Sequence, residues 1–185
     1  MTGRSTVDYR AMPKAVLHEH LDGGLRVETL LDLADQVGYR GLPTEDPAAL
    51  GQWFHQGGSG SLERYLEAFT HTLAVMQTSD GIRRVAAEAV EDLADDGVIY
   101  AEIRFAPTIN TRHGLGHREV LEAAWDGMSA AASIRGIEVG IIVTAMRQET
   151  DSAAVAEVAR HARDLGVIGF DLAGPEAGYP PDLHV

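Results

Sequence analysis

The sequence contains no cysteine among its 185 residues. This absence excludes a disulfide framework and any metal site built on thiolates. It also excludes the zinc nucleobase deaminases that bind their metal through cysteine. Any metal site in this chain must therefore use histidine or carboxylate ligands.

Basic residues and long apolar runs are also scarce. Lys and Arg number 15 against 28 Asp and Glu, which gives a formal net charge of −13. Such a chain lacks the basic patch that binds nucleic acid or an anionic membrane surface. No apolar run approaches the length of a bilayer span, and residues 1–10 do not form a hydrophobic signal segment. We therefore expect a cytoplasmic protein that binds neither nucleic acid nor membrane.

Hydrophobic residues make up 45% of the sequence, which is enough for one domain, 1–185, with a substantial core. Apolar, β-branched segments alternate with amphipathic ones in its second half. This pattern predicts strands at about 15–21, 98–106, 137–145 and 167–173, with helices between them. The alternation indicates parallel βαβ units, as in a (β/α) barrel, where the chemistry lies at the carboxyl ends of the strands.

Two histidines and an aspartate, spaced by two, end the first predicted strand. His18, His20 and Asp22 all point the same way if the strand continues through them, because successive side chains alternate faces. Two imidazoles one pleat apart can share a metal ion. Gly23 and Gly24 then end the strand and leave room for another group to approach the backbone. Taken alone, the histidine pair is equally compatible with a structural role.

Residues 12–23 (MPKAVLHEHLDG) resemble the opening of the adenosine deaminase family. Three later segments agree with that family in order and spacing: 61–69 (SLERYLEAF) resembles its lid helix, 100–107 (YAEIRFAP) its second strand, and 170–174 (FDLAG) the end of its fourth strand. The resemblance covers residues 12–180, with 24–96 as a helical insertion after the first strand. Arg147 and Gln148 stand where many members have Arg-His.

The resemblance implies an α/β fold, the (β/α)8 TIM barrel of the metal-dependent hydrolases, with about the first four units present in this chain. It implies hydrolytic deamination of adenosine, and of deoxyadenosine, to inosine with release of ammonia, in purine salvage. One Zn²⁺ per active site would activate the water that attacks the purine. The expected partner is a small purine nucleoside.

The resemblance also assigns site residues. His18 and His20 would be metal ligands, and Asp22 would bind a ribose hydroxyl with His20 nearby. The backbone N–H of Gly174 would bind the purine N3. Separately from the resemblance, the place of Asp171 on the face of Ala173, at the end of the fourth strand, indicates support of the metal site from outside the ligand shell. Four residues at helical spacing would form an apolar wall over the ligand. They are Leu62, Tyr65, Leu66 and Phe69.

Each assignment has a structural alternative. Asp22 could only form the turn after the strand, the four-residue stripe could be ordinary core, and Asp171 could be a buried hydrogen-bond anchor. Glu102 and Arg104 share a strand face, and we expect a structural ion pair there. We expect the histidines outside the motif to be solvated. These are His55, His71, His113, His117, His161 and His184.

The family's third histidine ligand and its proton-donating glutamate lie in a His-Ala-Gly-Glu segment, which this sequence does not contain. We therefore predict no catalytic residue within the chain, and we expect half of a barrel that is inactive alone. Two alternatives remain. One is a related aminopurine deaminase acting on adenine or another 6-aminopurine derivative, although Asp22 favours a ligand with a ribose. The other is a non-catalytic half-barrel that self-associates through its open edges.

Overall fold

The structure, a computed structural model, describes residues 8–55 and 62–184, and it describes the backbone but not the side chains of residues 62–65. Ser61, the first residue of the predicted lid-helix segment, lies outside the described residues. The side chains of Leu62 and Tyr65, two members of the predicted apolar wall, lie outside them as well.

Four strands form one parallel sheet in chain order. They are β1 (Lys14–His20), β2 (Val98–Phe105), β3 (Glu138–Met146) and β4 (Val167–Ala173). This confirms the predicted set of parallel strands, with small shifts at the boundaries. Consecutive parallel strands joined by helical crossovers are the arrangement of the first four units of a (β/α)8 barrel.

Six α-helices lie among the described residues and connect the strands. Between β1 and β2 lie α1 (Val27–Val37), α2 (Pro47–Phe54), α3 (Leu62–Val75) and α4 (Ser79–Asp95), whereas α5 (His117–Arg135) and α6 (Ser152–His161) are the crossovers to β3 and β4. Local chemistry sets several ends. The Asp46 carboxylate caps α2 by accepting a hydrogen bond from the Ala49 N–H at 2.8 Å, and Gly38 ends α1 in the left-handed region with φ 70°.

The helices cover one face of the sheet and bury its apolar side chains. Along β2, Ala101, Ile103 and Phe105 are at most 3% exposed and belong to the main core, whereas the intervening residues are only half-buried and lie on the inner face. Helices α4 and α5 pack closely: a Cβ on Gly127 would lie 2.1 Å from the Arg83 carbonyl oxygen. The sheet is thus held from outside, and its inner face carries the polar residues.

The pairing of β1 with β2 is irregular at Leu17 and His18. Val16 pairs with Ala101, and the next pair is Glu19 with Ile103, so three steps along β1 match two along β2. A β-bulge of this kind bends a strand and re-aims its side chains, and bulges recur beside active sites. The two histidines therefore stand at an edge strand whose course is locally altered.

Among residues 8–55 and 62–184, no helix is long and apolar enough to cross a membrane.

Candidate active site

The imidazoles of His18 and His20 meet at the carboxyl end of β1. Their Nε2 atoms lie 3.2 Å apart, and the ring centroids are separated by 5.1 Å with planes tilted by 43°. His18 is exposed and His20 half-buried. Burial lowers the pKa of His20, and the positive charges of His18 and Arg104 lower it further against the opposing effect of Asp171. The lowered pKa favours the neutral imidazole of His20, which is the form that binds metal ions.

The distance between the two rings fits a shared metal ion. Zinc binds histidine nitrogen at about 2.0–2.1 Å, and a tetrahedral angle then places two ligand nitrogens about 3.3 Å apart. The Nε2 separation of 3.2 Å matches that spacing. Within the described part of the chain, no group of three or more His, Cys, Asp and Glu side chains could hold a metal ion. The chain therefore contributes two converging donors, fewer than a complete zinc site has.

Asp22 lies beside the pair but not on the strand. β1 ends at His20, and Leu21–Gly23 form a single 3-10 turn, so the predicted strand through Asp22 is wrong. The turn carries Asp22 into the interior, where it is 7% exposed and its Oδ1 has no hydrogen-bond partner among the described residues. Burial raises the pKa of Asp22 to about 6. A buried carboxylate oxygen without a partner is available to a ligand.

A cavity of about 340 Å³ joins the predicted site residues. Its walls include His20, Asp22, Leu66, Phe69 and Gly174. The cavity lies between the turn after β1, helix α3 and the carboxyl ends of β3 and β4, where active sites of (β/α) barrels are found. A larger cavity of about 490 Å³, between α1 and the segment that follows it, contains none of the predicted site residues.

Phe69 closes the cavity from helix α3. Its ring stands edge-on to His20, with centroids 6.4 Å apart, and a Cβ on Gly23 would lie 3.3 Å from the Phe69 Cζ. The room that the glycine pair leaves is therefore filled by this aromatic ring. Leu66, one turn earlier on α3, is 39% exposed and lines the same cavity.

Gly174 ends β4 in a conformation that favours glycine. Its φ is +115°, and a Cβ there would lie 2.6 Å from the Gln148 Oε1. Another residue here would be strained by this backbone conformation and would have to displace the Gln148 side chain. Gln148, the departure from the Arg-His pattern, is the residue packed against it.

Asp171 makes an ion pair across the sheet. The Arg104 guanidinium on β2 donates to the Asp171 carboxylate on β4, and its second nitrogen reaches the Leu17 carbonyl oxygen at 3.5 Å, inside the β1 bulge. The expected pair between Glu102 and Arg104 is wrong, because Glu102 accepts a hydrogen bond from the Tyr100 hydroxyl at 3.0 Å instead. Arg104 thus connects three features of the site: β2, β4 and the bulged strand that carries the histidines.

A family model described as adenosine deaminase matches residues 13–185. The chain belongs to the adenosine deaminase family. The adenosine deaminase of Mycobacterium ulcerans (strain Agy99) is 54% identical to it over 192 aligned residues, which cover 100% of this chain and 53% of that protein. The chain spans about half the length of the curated relatives it matches. The predicted family is confirmed.

Solved structures agree with this membership. A zinc-bound amidohydrolase from Burkholderia ambifaria aligns with a TM-score of 0.81 at 28% identity, over 98% of this chain and 51% of that one. An adenine deaminase from Arthrobacter aurescens aligns with a TM-score of 0.76 at 26% identity, over 90% of this chain and 50% of that one. The fold of the metal-dependent deaminases is thereby confirmed, and the zinc-bound neighbour points to a metal cofactor in the family.

Two histidines outside the motif depart from the prediction that they are solvated. The His71 Nδ1 and the Tyr39 hydroxyl are hydrogen-bonded at 2.8 Å, and the rings of Trp53 and Phe54 pack edge-on against His71. His184 is half-buried, with its Nε2 at 3.1 Å from the Arg147 carbonyl oxygen. Such partners, 32 and 37 residues away in sequence, cannot be read from a local pattern.

Sequence reasoning missed several residues of the cavity wall. Five of them are Leu73, Phe105, Ile109, Thr144 and Met146. Four are apolar and look like ordinary core in the sequence. Thr144 alone of these five carries a signal, since it is a polar residue within the apolar segment IEVGIIVTA.

Proposed function

We propose that this chain forms part of the active site of a hydrolase that converts adenosine, and deoxyadenosine, to inosine and ammonia in cytoplasmic purine salvage. The observation that carries the proposal is the convergence of His18 and His20, Nε2 to Nε2 at 3.2 Å, where His20 lines a cavity together with Asp22 and Gly174. Membership of the adenosine deaminase family supports the reaction. The cavity and the histidine pair both lie at the carboxyl ends of the strands.

His18 and His20 would hold the metal ion, which we take to be Zn²⁺. When bound, the ion supplies Lewis acidity, which makes water a nucleophile near neutral pH. The role of the chain is to present two nitrogen donors at the spacing that one ion needs. The bulge at Leu17 and His18 and the 3-10 turn after His20 would set the direction of both rings.

Asp22 and Gly174 would orient the nucleoside. The Asp22 Oδ1 is buried and lacks a partner among residues 8–55 and 62–184, so it can accept a hydrogen bond from a ribose hydroxyl. The Gly174 backbone N–H would donate to the purine N3 from the opposite wall. Leu66 and Phe69 would cover the apolar faces of the base and exclude water from the cavity.

Asp171 would support the metal site indirectly. It does not line the cavity, and it acts through Arg104, which also reaches the Leu17 carbonyl oxygen in the β1 bulge. This pair would hold β1 in register with β2 and β4. Asp171 and Arg104 are thus positioning residues for the two histidines rather than ligands.

The proposal is tested by a chimera. The chain is fused in frame to the part of the Mycobacterium ulcerans relative that it does not match, and conversion of adenosine to inosine is followed with added Zn²⁺. We expect turnover by the chimera and none by the 185-residue chain, because the chain supplies two metal donors and no proton-donating glutamate segment. His18→Ala and His20→Ala in the chimera should each abolish turnover. A folded chimera that binds metal but leaves adenosine unchanged would contradict the proposal, as would turnover by the chain alone.

A related substrate, adenine, is the second candidate, since an adenine deaminase is among the similar structures. The buried carboxylate of Asp22 favours the nucleoside, because a free base has no sugar hydroxyl to pair with it. Comparing adenosine with adenine as substrates of the chimera separates the two. Asp22→Ala, which removes the acceptor, should slow adenosine turnover strongly and leave any adenine turnover nearly unchanged. Equal loss for both substrates would remove the argument for ribose.

Self-association of the chain alone is a further candidate role. β1 and β4 are the two edges of the sheet, and Leu17 on β1 and Phe170 on β4 are 58% and 43% exposed. Exposed strand edges with apolar side chains favour pairing with another chain. Light scattering tests this role, and a monodisperse folded monomer at high concentration would contradict it.

A further inference from the structure

Thr144 is a polar residue in an apolar part of the sheet. Its neighbours along β3, Val143 and Ala145, are both fully buried against the helices. Thr144 itself is 4% exposed, and its side chain points the other way, to the inner face of the sheet. There it lines the cavity that also contains His20, Asp22 and Gly174.

The hydroxyl of Thr144 has no hydrogen-bond partner among the side chains and backbone that the structure describes. Buried polar groups are nearly always paired, because an unpaired one loses its bonds to water without replacement. Valine has the same shape without the hydroxyl and would suit a purely structural position at least as well. A buried hydroxyl that faces a cavity without a partner therefore indicates a contact with whatever occupies the cavity.

The position of Thr144 in the cavity is set by strand register. It pairs with Asp171 on β4, whereas Met146 pairs with Ala173, the residue before Gly174. Thr144 therefore lies one pleat deeper than the rim where Gly174 stands. The Asp171 Oδ1, on the neighbouring strand, is also buried without a partner in the described chain. Thr144 thus offers an unpaired hydroxyl at the floor of the cavity, whereas the unpaired Asp171 Oδ1 lies on the adjacent strand and is not part of the cavity wall.

We propose that Thr144 is a specificity-determining residue whose hydroxyl hydrogen-bonds a polar atom of the purine nucleoside held in this cavity. The inference rests on the proposed function, which supplies the ligand. A hydroxyl both donates and accepts, so it can pair with a ring nitrogen or with an exocyclic group of the base. Gly174 binds the ligand at the rim and Thr144 binds it at the floor, so that the two contacts fix the tilt of the base between α3 and the sheet.

The test measures inosine binding and thermal stability of the 185-residue chain. Binding is followed by saturation-transfer NMR titration, which detects weak complexes, and unfolding by circular dichroism. We compare wild type with Thr144→Val, with the conservative variant Thr144→Ser, and with Thr108→Val as a matched control. The hydroxyl of Thr108 is likewise buried without a partner in the described chain, but Thr108 does not line the cavity.

Thr144→Val should weaken inosine binding about 3- to 10-fold, the usual effect of losing one neutral hydrogen bond. The same variant without ligand should melt about 2–4 °C higher, because it removes an unpaired buried hydroxyl. Thr144→Ser should bind within twofold of wild type. Thr108→Val should also melt higher while binding inosine as wild type does. A role in the fold alone would lower the melting temperature of Thr144→Val and leave ligand binding unaffected.

Two results overturn the inference. One is wild-type affinity in Thr144→Val, and the other is a lower melting temperature of that variant, which would show that the hydroxyl is already paired inside the fold. If wild type does not bind inosine at all, this inference fails, whereas the proposed function is decided separately by adenosine turnover in the chimera. If wild type binds and Thr144→Val binds equally well, the inference fails and the proposed function stands.

Discussion

Replacing Asp171 by asparagine keeps the size of the side chain and removes its charge. The perturbation leaves the Arg104 guanidinium on the inner face of the sheet without an opposing carboxylate, with only neutral acceptors such as the asparagine amide oxygen and the Leu17 carbonyl oxygen at 3.5 Å. The side chains of Arg104 and Asp171 are 13% and 24% exposed. The Arg104 charge would therefore be largely removed from water and no longer compensated.

The expected cost follows from that partial burial. Removing one partner of a fully buried pair costs about 3–5 kcal/mol, whereas an exposed pair contributes about 0–1 kcal/mol. A pair with these exposures lies between the two limits, and we expect Asp171→Asn to lower the free energy of unfolding by about 2 kcal/mol. For a chain of this size that corresponds to a fall in melting temperature of about 4–8 °C.

The assay is chemical and thermal unfolding, with a matched control in the same chain. Asp164 pairs with Arg118 on the surface, where the two side chains are 60% and 49% exposed. Asp164→Asn should leave the melting temperature unchanged within error, because solvent screens that pair. The double variant Arg104→Met with Asp171→Leu should recover most of the lost stability, because it leaves no unpaired charge.

The reasoning is refuted if Asp171→Asn is no more destabilising than Asp164→Asn. That outcome would show that water screens the Arg104 charge even on the inner face of the sheet. It would also remove the physical basis for treating this pair as the support of the bulged strand. A destabilisation that the double variant does not recover would instead point to lost packing rather than to charge.

Three further predictions concern helix packing, metal binding and pH. Gly127→Ala should destabilise the chain by about 1–3 kcal/mol by overpacking two helices, because its Cβ would lie 2.1 Å from a backbone oxygen. Gly51→Ala, with a nearest contact of 3.6 Å, should stabilise the chain by about 0.5–1 kcal/mol. Urea unfolding measures both changes, and changes of the same sign would contradict the packing argument. Zn²⁺ should raise the melting temperature of wild type in a thermal-shift assay, and His18→Ala or His20→Ala should abolish that rise. If the melting temperature of both variants still rises with Zn²⁺, the metal binds elsewhere. Burial lowers the pKa of His71 in the folded chain, so this residue stabilises the fold fully above its unfolded pKa of about 6.5 and less as the pH falls below that value. His71→Phe should therefore reduce the loss of unfolding free energy between about pH 7 and 5. An unchanged dependence of the unfolding free energy on pH would exclude His71 as the cause of that loss.

Local pattern was sufficient to predict the strands and the histidine pair. The strand segments are apolar and β-branched, and their period of two assigns His18 and His20 to one face before any neighbour is known. Motif order and spacing were likewise sufficient for the family. The strands, the shared face of the two histidines and the family motifs each depend on short segments of sequence, in which backbone geometry alone sets the direction of the side chains.

Tertiary structure decided which partner each polar group takes. Arg104 shares a strand face with Glu102 but pairs with Asp171, 67 residues away, because the strand order brings β4 within reach across β3. Asp22 reaches the cavity through a 3-10 turn that the strand pattern does not predict. Thr144 is a candidate ligand contact because it lines the cavity and its hydroxyl has no partner in the described chain. Periodicity tells which face a residue occupies, whereas the register between distant strands determines what that face meets.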